Sequence, residues 1–348
     1  MSPDKSTLRV VRAPPVNSNA QARRSLVSTN PDGDGRTKAL PQQRSMAKAV
    51  FDVRAYVLRF FASWVGIILL LRFLDRHVMP RDEAVLQPAW ASFIQQVPWL
   101  ASHAGFPGLV GALSFVISCL CFSVLDLRRS VSTKLQKHYF PSLWDMLKAG
   151  GPQVVLYGAG NWAGYAYGYH EIALPERAPR ICIFAEEVLI SFIVGDFFIY
   201  VEHRLMHAVP FLRKHIHSWH HSYHAPFSWA GGVVHPLEDA IVILCQMTTP
   251  LVLGYHPLSA WVFILIWVVL LVEEHSGHDV SWAPYNWMPF ASCPMGGGGA
   301  PHDIHHYKVN KNYGFVLCVW DHMLGSFEPV ASREVIKAKD YCVDTVTL

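Results

Sequence analysis

Three histidine clusters constrain this chain more than any other feature. They read His203-Arg-Leu-Met-His207, His217-Ser-Trp-His220-His221 and His302-Asp-Ile-His305-His306. Fourteen of the nineteen histidines lie between positions 203 and 306, with His224, His235, His275 and His278 in the intervals. Residues three or four apart share one face of a helix, so each cluster aims two or three imidazoles at a common point. Imidazole suits Zn, Cu, Fe and Ni, and eight or more converging rings exceed the coordination sphere of one ion. The pattern therefore predicts a two-metal site, and any fold must bring three distant segments together at it.

Apolar runs separate the clusters. The chain is 51% hydrophobic and 16% charged, against about 25% charged in a soluble domain. The composition predicts an all-α integral membrane protein. Segments 56–74 and 106–125 have the ~20 residues needed to span a bilayer. Segment 150–169 is weaker, being rich in Gly, Tyr and Ala, and 181–200 is interrupted by Glu186, Glu187 and Asp196. Such depth-buried acids are costly unless functional or paired. Runs 240–253 and 258–272, around Gly254-Tyr-His-Pro257, are short for separate spans and predict a membrane-embedded helical hairpin. The expectation is about four transmembrane helices plus this hairpin, with a cytosolic His-rich di-metal domain. Basic residues before the first span and after the second (Arg128, Arg129, Lys134, Lys137) place both flanks in the cytosol. All three clusters then lie on that face.

Residues 1–48 are basic, polar and without apolar periodicity, and read as a disordered tail. A membrane hydroxylase domain is expected over 49–348, with its His-cluster catalytic region at about 196–328. The seven cysteines form no CxxC pair, so reduced, buried cysteines are expected rather than a disulfide framework or a cysteine metal site. The chain lacks HExxH, a dinucleotide fingerprint and an Fe–S cysteine set, so electrons for any oxidation come from outside. The run Gly296–Gly299 precedes no phosphate-binding pattern and reads as a flexible approach loop. His77, His103, His138, His170, His256 and His322 read as structural.

Around the clusters stand His235-Pro-Leu-Glu238-Asp239, His275-Ser-Gly-His278-Asp279, Asn312-Tyr313-Gly314 and Trp320-Asp321, with Asp196 seven residues before His203. With them the chain resembles the fatty acid hydroxylase/sterol desaturase superfamily over roughly residues 130–328. HPxED and HSGxD are most similar to C-4 methylsterol oxidases, with cholesterol 25-hydroxylase close behind. It departs from the methylsterol oxidase pattern at His278, where Tyr is usual, in the Gly296–Gly299 run and in its long tail. The resemblance implies a non-haem centre of two Fe ions, O2 as oxidant, and electrons from NAD(P)H through cytochrome b5 or its reductase. It also implies a multi-pass endoplasmic reticulum protein acting on a lipid or sterol, with no nucleic-acid partner. Carried over position by position, His203, His207, His217, His220, His221, His302, His305 and His306 would be metal ligands, with His275 the ninth. His224, His235 and His278 would be ligands or hydrogen-bond supports for them. Glu238, Asp239 and Asp279 would accept an imidazole N–H, or would cap helices.

The leading reading is a sterol-oxidising di-iron monooxygenase acting on a 4-methylsterol or related terpenoid. A fatty acyl or sphingoid hydroxylase or desaturase is the alternative within the superfamily. A zinc-dependent membrane hydrolase or zinc transporter is the alternative outside it. A transporter would carry its ligands near mid-span, whereas these clusters follow the spans. Zn could replace Fe in recombinant material, because affinity favours the later metals.

Overall fold

The computed structural model describes residues 41–79, 85–136, 139–166, 172–282 and 299–328. Regular structure among them is helical, apart from an isolated antiparallel bridge between Lys134 and His278. By internal contacts the chain divides into residues 1–50 and 51–348. The tail reading falls on undescribed residues as far as position 40, but α1 (Pro41–His77) begins inside it. Proline is favoured at a first helical position, and no Gly or Pro follows in residues 42–50 to stop the helix. His138, His170 and residues 296–298 of the glycine run also lie outside the described residues.

After α1 come α2 (Gln87–Gln96), α3 (Pro98–Ala101), α4 (Phe106–Leu127), α5 (Leu143–Ala166) and α6 (Ile181–Ala208). Then follow α7 (Pro210–Leu212), α8 (Pro236–Val252), α9 (Pro257–His275), α10 (Gly299–Lys308) and α11 (Val319–Leu324). Proline stands in the first turn of α2, α3, α4, α7, α8 and α9, where its missing N–H costs nothing. Three helical segments are long and apolar enough to cross a membrane: Val53–His77, Phe106–Leu127 and Pro257–His275. Leu58, Leu69, Ile117 and Leu120 are exposed along the first two, an arrangement suited to lipid. Helices α5 and α6 do not join that set, although the sequence suggests spans in both. Pro152 and several glycines dilute α5, and acidic side chains dilute α6.

Those acids are paired. Glu186 accepts from Arg72 at 2.5 Å, and Arg180 reaches Asp75 at 2.6 Å, so two ion pairs join the end of α1 to the start of α6. Glu187 accepts from the backbone N–H of His256 at 3.3 Å. Asp196 accepts from the Val316 N–H at 2.6 Å and from Trp320 Nε1 at 2.7 Å. This last carboxylate ties α6 to the segment that follows α10.

The turn forms as the sequence suggests, but α8 and α9 each pack on α6 rather than closely on each other, and α9 is long and apolar enough to cross a membrane by itself. Helices α8 and α9 turn at residues 253–256, where Gly254 takes a φ of +61°. That left-handed value is one glycine adopts without steric penalty. His256 caps α9 by accepting from the Leu258 N–H at 3.1 Å, which fulfils its structural reading. The return path brings His275 back toward the end of the hairpin where His235 begins α8. Phe192 and Tyr200 from α6, Phe263, Trp267 and Leu270 from α9, and Phe315 and Trp320 form one buried cluster. Trp267 stacks on Phe315 with centroids 4.5 Å apart. The core therefore fixes three elements that carry, or directly flank, the histidine clusters.

A buried ion pair closes the far side. Lys134 Nζ donates to Asp126 Oδ1 at 2.5 Å, with both side chains essentially inaccessible. Removing one partner strands the other charge, which typically costs about 3–5 kcal/mol, whereas replacing both by apolar groups is tolerated. Lys134→Met is therefore expected to lower the unfolding midpoint in detergent, although His278 Nε2 still reaches Asp126 at 2.9 Å, and the double variant Asp126→Asn/Lys134→Met, which keeps an acceptor for His278, to recover much of the loss. Equal midpoints for the single variant and the parent would remove this pair from the account.

Candidate metal centre

Nine histidines converge at the ends of these helices in two groups. His203, His207, His217, His221 and His305 form one group, and His220, His275, His302 and His306 form the other. Within each group the facing nitrogens lie within 4.8 Å of one another. His203 and His207 are one turn apart at the end of α6, which gives HxxxH its common face. The chain then passes through α7 into a π-helical turn, Arg213–His217, followed by a 3₁₀ turn, His220–Ser222. Short π segments recur at functional sites. The two neighbouring pairs divide between the groups: His221 and His305 face the first, His220 and His306 the second.

The far nitrogens determine what the near ones can do. Nδ1–H donates to the Tyr313 carbonyl from His203 (3.0 Å), to Lys311 from His305 (2.7 Å) and to Tyr223 from His306 (3.0 Å). His275 Nδ1–H donates to the Leu271 carbonyl at 2.8 Å, and His217 Nδ1–H donates to Glu238 Oε1 at 2.5 Å. A neutral imidazole carries one N–H, so these five rings present bare Nε2 lone pairs. His302 Nε2 lies 2.9 Å from His275 Nε2 and 3.0 Å from His306 Nε2, both lone pairs. Its own proton can serve one of them, and His220 Nε2, 3.3 Å from His275 Nε2, can serve the other.

The first group cannot be closed that way. His207 Nε2 stands 2.8 Å from His217 Nε2 and 3.1 Å from His221 Nε2, which is itself 3.1 Å from His305 Nε2. If His207 donates to His217 and His221 donates to His305, two N–H groups oppose each other. No placement of protons on neutral rings satisfies this first group, and His203 Nε2 has no hydrogen-bond partner. A cation there does satisfy it, and the four converging nitrogens of the second group offer the same kind of seat. Metal–imidazole bonds of about 2.0–2.1 Å put neighbouring ligand nitrogens roughly 3 Å apart, close to the spacing found. The donor set, nitrogen only, suits a transition metal.

Burial favours the neutral, metal-binding form of His203, His207, His220, His221, His302, His305 and His306. It pushes His220, His221, His302 and His306 well below the ordinary imidazole value, with neighbouring histidines adding to the effect. His305 is lowered to about 3, again chiefly by burial. Packing around the site is close. A Cβ on Gly231 would stand 3.0 Å from Cγ of His275, so only glycine lets that backbone pass the ring.

The three further histidine candidates stand outside both groups. His224 is exposed. His235 caps α8, accepting from the Leu237 N–H at 3.2 Å. His278 donates from Nε2 to Asp126 Oδ1 at 2.9 Å and lies 2.9 Å from Thr133 Oγ1 through Nδ1. Of the three acids, Glu238 takes the supporting position on His217. Asp239 is in the first turn of α8, and the Asp279 backbone N–H bonds the Thr133 carbonyl.

Sequence reasoning overlooked Glu202 and Glu274. Glu274 Oε1 is buried without a hydrogen-bond partner, 3.6 Å from His275 Nδ1 and 3.8 Å from His302 Nδ1. An acid pair, Glu273-Glu274, at the end of an apolar run was the available signal. The supporting carbonyls of Tyr223, Lys311 and Tyr313 leave none, because every residue has one.

Both groups border a cavity of about 300 Å³ between α4, α6, α8 and α9. Its wall is mainly apolar, and His203, His217, His220, His275 and His302 form one end. A buried imidazole-lined centre opening onto an apolar chamber, with two of the bordering helices long and apolar enough to cross a membrane, suits one class: membrane proteins that take lipid-like molecules.

Comparison with known proteins fits that class. Residues 188–326 match the fatty acid hydroxylase family model. Over those residues the chain is similar to that family. Cholesterol 25-hydroxylase of Rattus norvegicus is 28% identical over 284 residues, covering 76% of this chain and 90% of that protein. The Homo sapiens protein of the same name is 28% identical over 257 residues, with 69% and 90% covered. A very-long-chain aldehyde decarbonylase of Oryza sativa subsp. indica is 31% identical over 165 residues, with 47% and 60% covered. No solved structure matches the chain.

Proposed function

We propose that this chain is a membrane-bound di-iron monooxygenase that oxidises a C–H bond of a sterol-like lipid, a 4-methylsterol or related terpenoid. The observation that carries the reading is the pair of buried imidazole groups at the end of an apolar cavity. When bound, the two iron ions would supply O2 activation, the chemistry that an unactivated C–H bond requires and that a general acid and base cannot supply. The chain does the rest. His203, His207, His217, His221 and His305 would hold one ion, and His220, His275, His302 and His306 the other. The carbonyls of Tyr313, Lys311, Tyr223 and Leu271, with Glu238, fix which ring nitrogen stays free. Ile199, Val242, Ile264, Val268, Leu271 and Phe315 pack the substrate against that end and exclude water. Positioning of this kind is the protein's share of the work when a cofactor carries the reaction.

The reading places the protein in the endoplasmic reticulum, taking electrons from NAD(P)H through cytochrome b5 or its reductase. A microsomal assay with NAD(P)H and O2 on a 4-methylsterol tests it. Oxidised sterol that requires both co-substrates supports the reading, and turnover without reductant or without oxygen would end it. Topology gives an independent check. The N-terminus, residues 126–149, the histidines and the C-terminus are expected on the cytosolic side. Labels near residue 90 and near residue 330 should therefore report opposite faces, and lumenal labelling at 330 would cut the site off from cytosolic donors.

A further inference from the structure

The apolar cavity carries polar side chains that the metal reading leaves without work. Glu202 on α6 and Gln246 on α8 both line it and are more than nine-tenths buried, at 8% and 7% exposure. Glu202 Oε1 and Gln246 Nε2 have no hydrogen-bond partner. A buried amide N–H or carboxyl oxygen left unmade costs roughly 1–3 kcal/mol each, so a chamber built only to hold hydrocarbon would not bear two of them. Gln246 lies two helical turns beyond Glu238, about 12 Å along the axis at 1.5 Å per residue. It therefore addresses a part of the ligand remote from the carboxylate that supports His217.

Away from the histidine end, the ionisable residues of the wall are acids. Glu202, Glu238, Asp239 and Glu274 line the cavity, and no Lys or Arg does so among the described residues. A lipid carboxylate or phosphate held there, short of the histidines, would be a buried anion with no Lys or Arg to pair with. An acceptor on one helix and a donor on the facing helix suit a group that both donates and accepts.

We infer that Glu202 and Gln246 are specificity-determining residues that read a hydroxyl group on a neutral, otherwise apolar lipid. The hydroxyl donates to Glu202 Oε1 and accepts from Gln246 Nε2, and with no Lys or Arg beside them an acid headgroup would go unpaired in that place. The inference deepens the proposed function by naming what the substrate carries besides its reacting C–H bond. A sterol and a long-chain alcohol share this chemistry.

Direct binding tests it without turnover. The full chain in nanodiscs is titrated with tritiated cholesterol, octadecanol, the methyl ether of each, and stearic acid. Methylation removes the hydroxyl's donor. At least one alcohol is expected to bind about tenfold or more tightly than its ether, and octadecanol more tightly than stearic acid. Which alcohol shows the preference distinguishes a ring lipid from a straight chain. Gln246→Leu and Glu202→Leu should flatten the alcohol-to-ether ratio, and the comparison on the unaltered chain stands even where a variant fails to fold. Equal binding of alcohol and ether in both pairs, or tightest binding of stearic acid, would overturn the inference. Hydroxyl preference in a chain that oxidises nothing would leave the inference standing and remove the proposed function. Oxidation without hydroxyl preference would do the reverse.

Discussion

His306→Ala is expected to lower lipid oxidation by at least about 100-fold while leaving the helices folded. The ring is fully buried, its Nδ1–H is committed to the Tyr223 carbonyl, and its Nε2 faces His302 at 3.0 Å. Losing a ligand should cost at least as much as losing one of the outer partners that orient ligands, and those losses run to about 10–100-fold. The fold should persist, because the spans are held by apolar packing and internal backbone hydrogen bonds. His322→Ala supplies the contrast: that ring stacks on Phe327 at 3.7 Å and belongs to neither imidazole group. Activity measured on microsomes, beside circular dichroism of the purified variants, checks both statements. Full activity without His306, or inactivity without His322, would show that the groups have been divided wrongly.

Glu238→Ala is expected to weaken metal retention by about 10–100-fold although Glu238 belongs to neither imidazole group. Its Oε1 receives the Nδ1–H of His217 at 2.5 Å in a site closed to water. Without that acceptor the ring loses its fixed tautomer and leaves a buried donor unsatisfied, at a cost of about 1–3 kcal/mol. Glu238→Gln keeps an acceptor oxygen in place and should recover part of the loss. Metal remaining after graded chelation, read by mass spectrometry, orders the three proteins. Identical retention in Glu238→Ala and the parent would mean that His217 is oriented by packing alone.

Much of this architecture was legible in the residues. Spacings of three and four announced which histidines share a face. Gly254 and Pro257 marked the hairpin turn, and apolar runs marked its two arms. The assignment of rings to two groups was not legible. It depends on the π turn at Arg213–His217 and on α10 presenting His305 and His306 to different sides. Neither follows from spacing on one helix. His278 shows the same limit. Its motif left it open as a ligand or a hydrogen-bond support, and in the structure a buried carboxylate from α4, 152 residues away in sequence, accepts from its Nε2. Pairings over that distance are tertiary facts. The acids Glu186, Glu187 and Asp196 of α6 were read as functional or paired, and Arg72, the His256 backbone and Trp320 Nε1 pair them.

The central claim is that nine buried imidazoles hold two transition-metal ions, and metal stoichiometry tests it most directly. The full chain, purified without chelators and analysed by plasma mass spectrometry, should carry about two ions per chain, Fe or, in recombinant material, Zn. His220→Ala should reduce that content, and so should His305→Ala, each from its own group. A chain with two ions that loses metal in both variants is the predicted result. A chain that binds no transition metal and still oxidises its lipid would contradict the account.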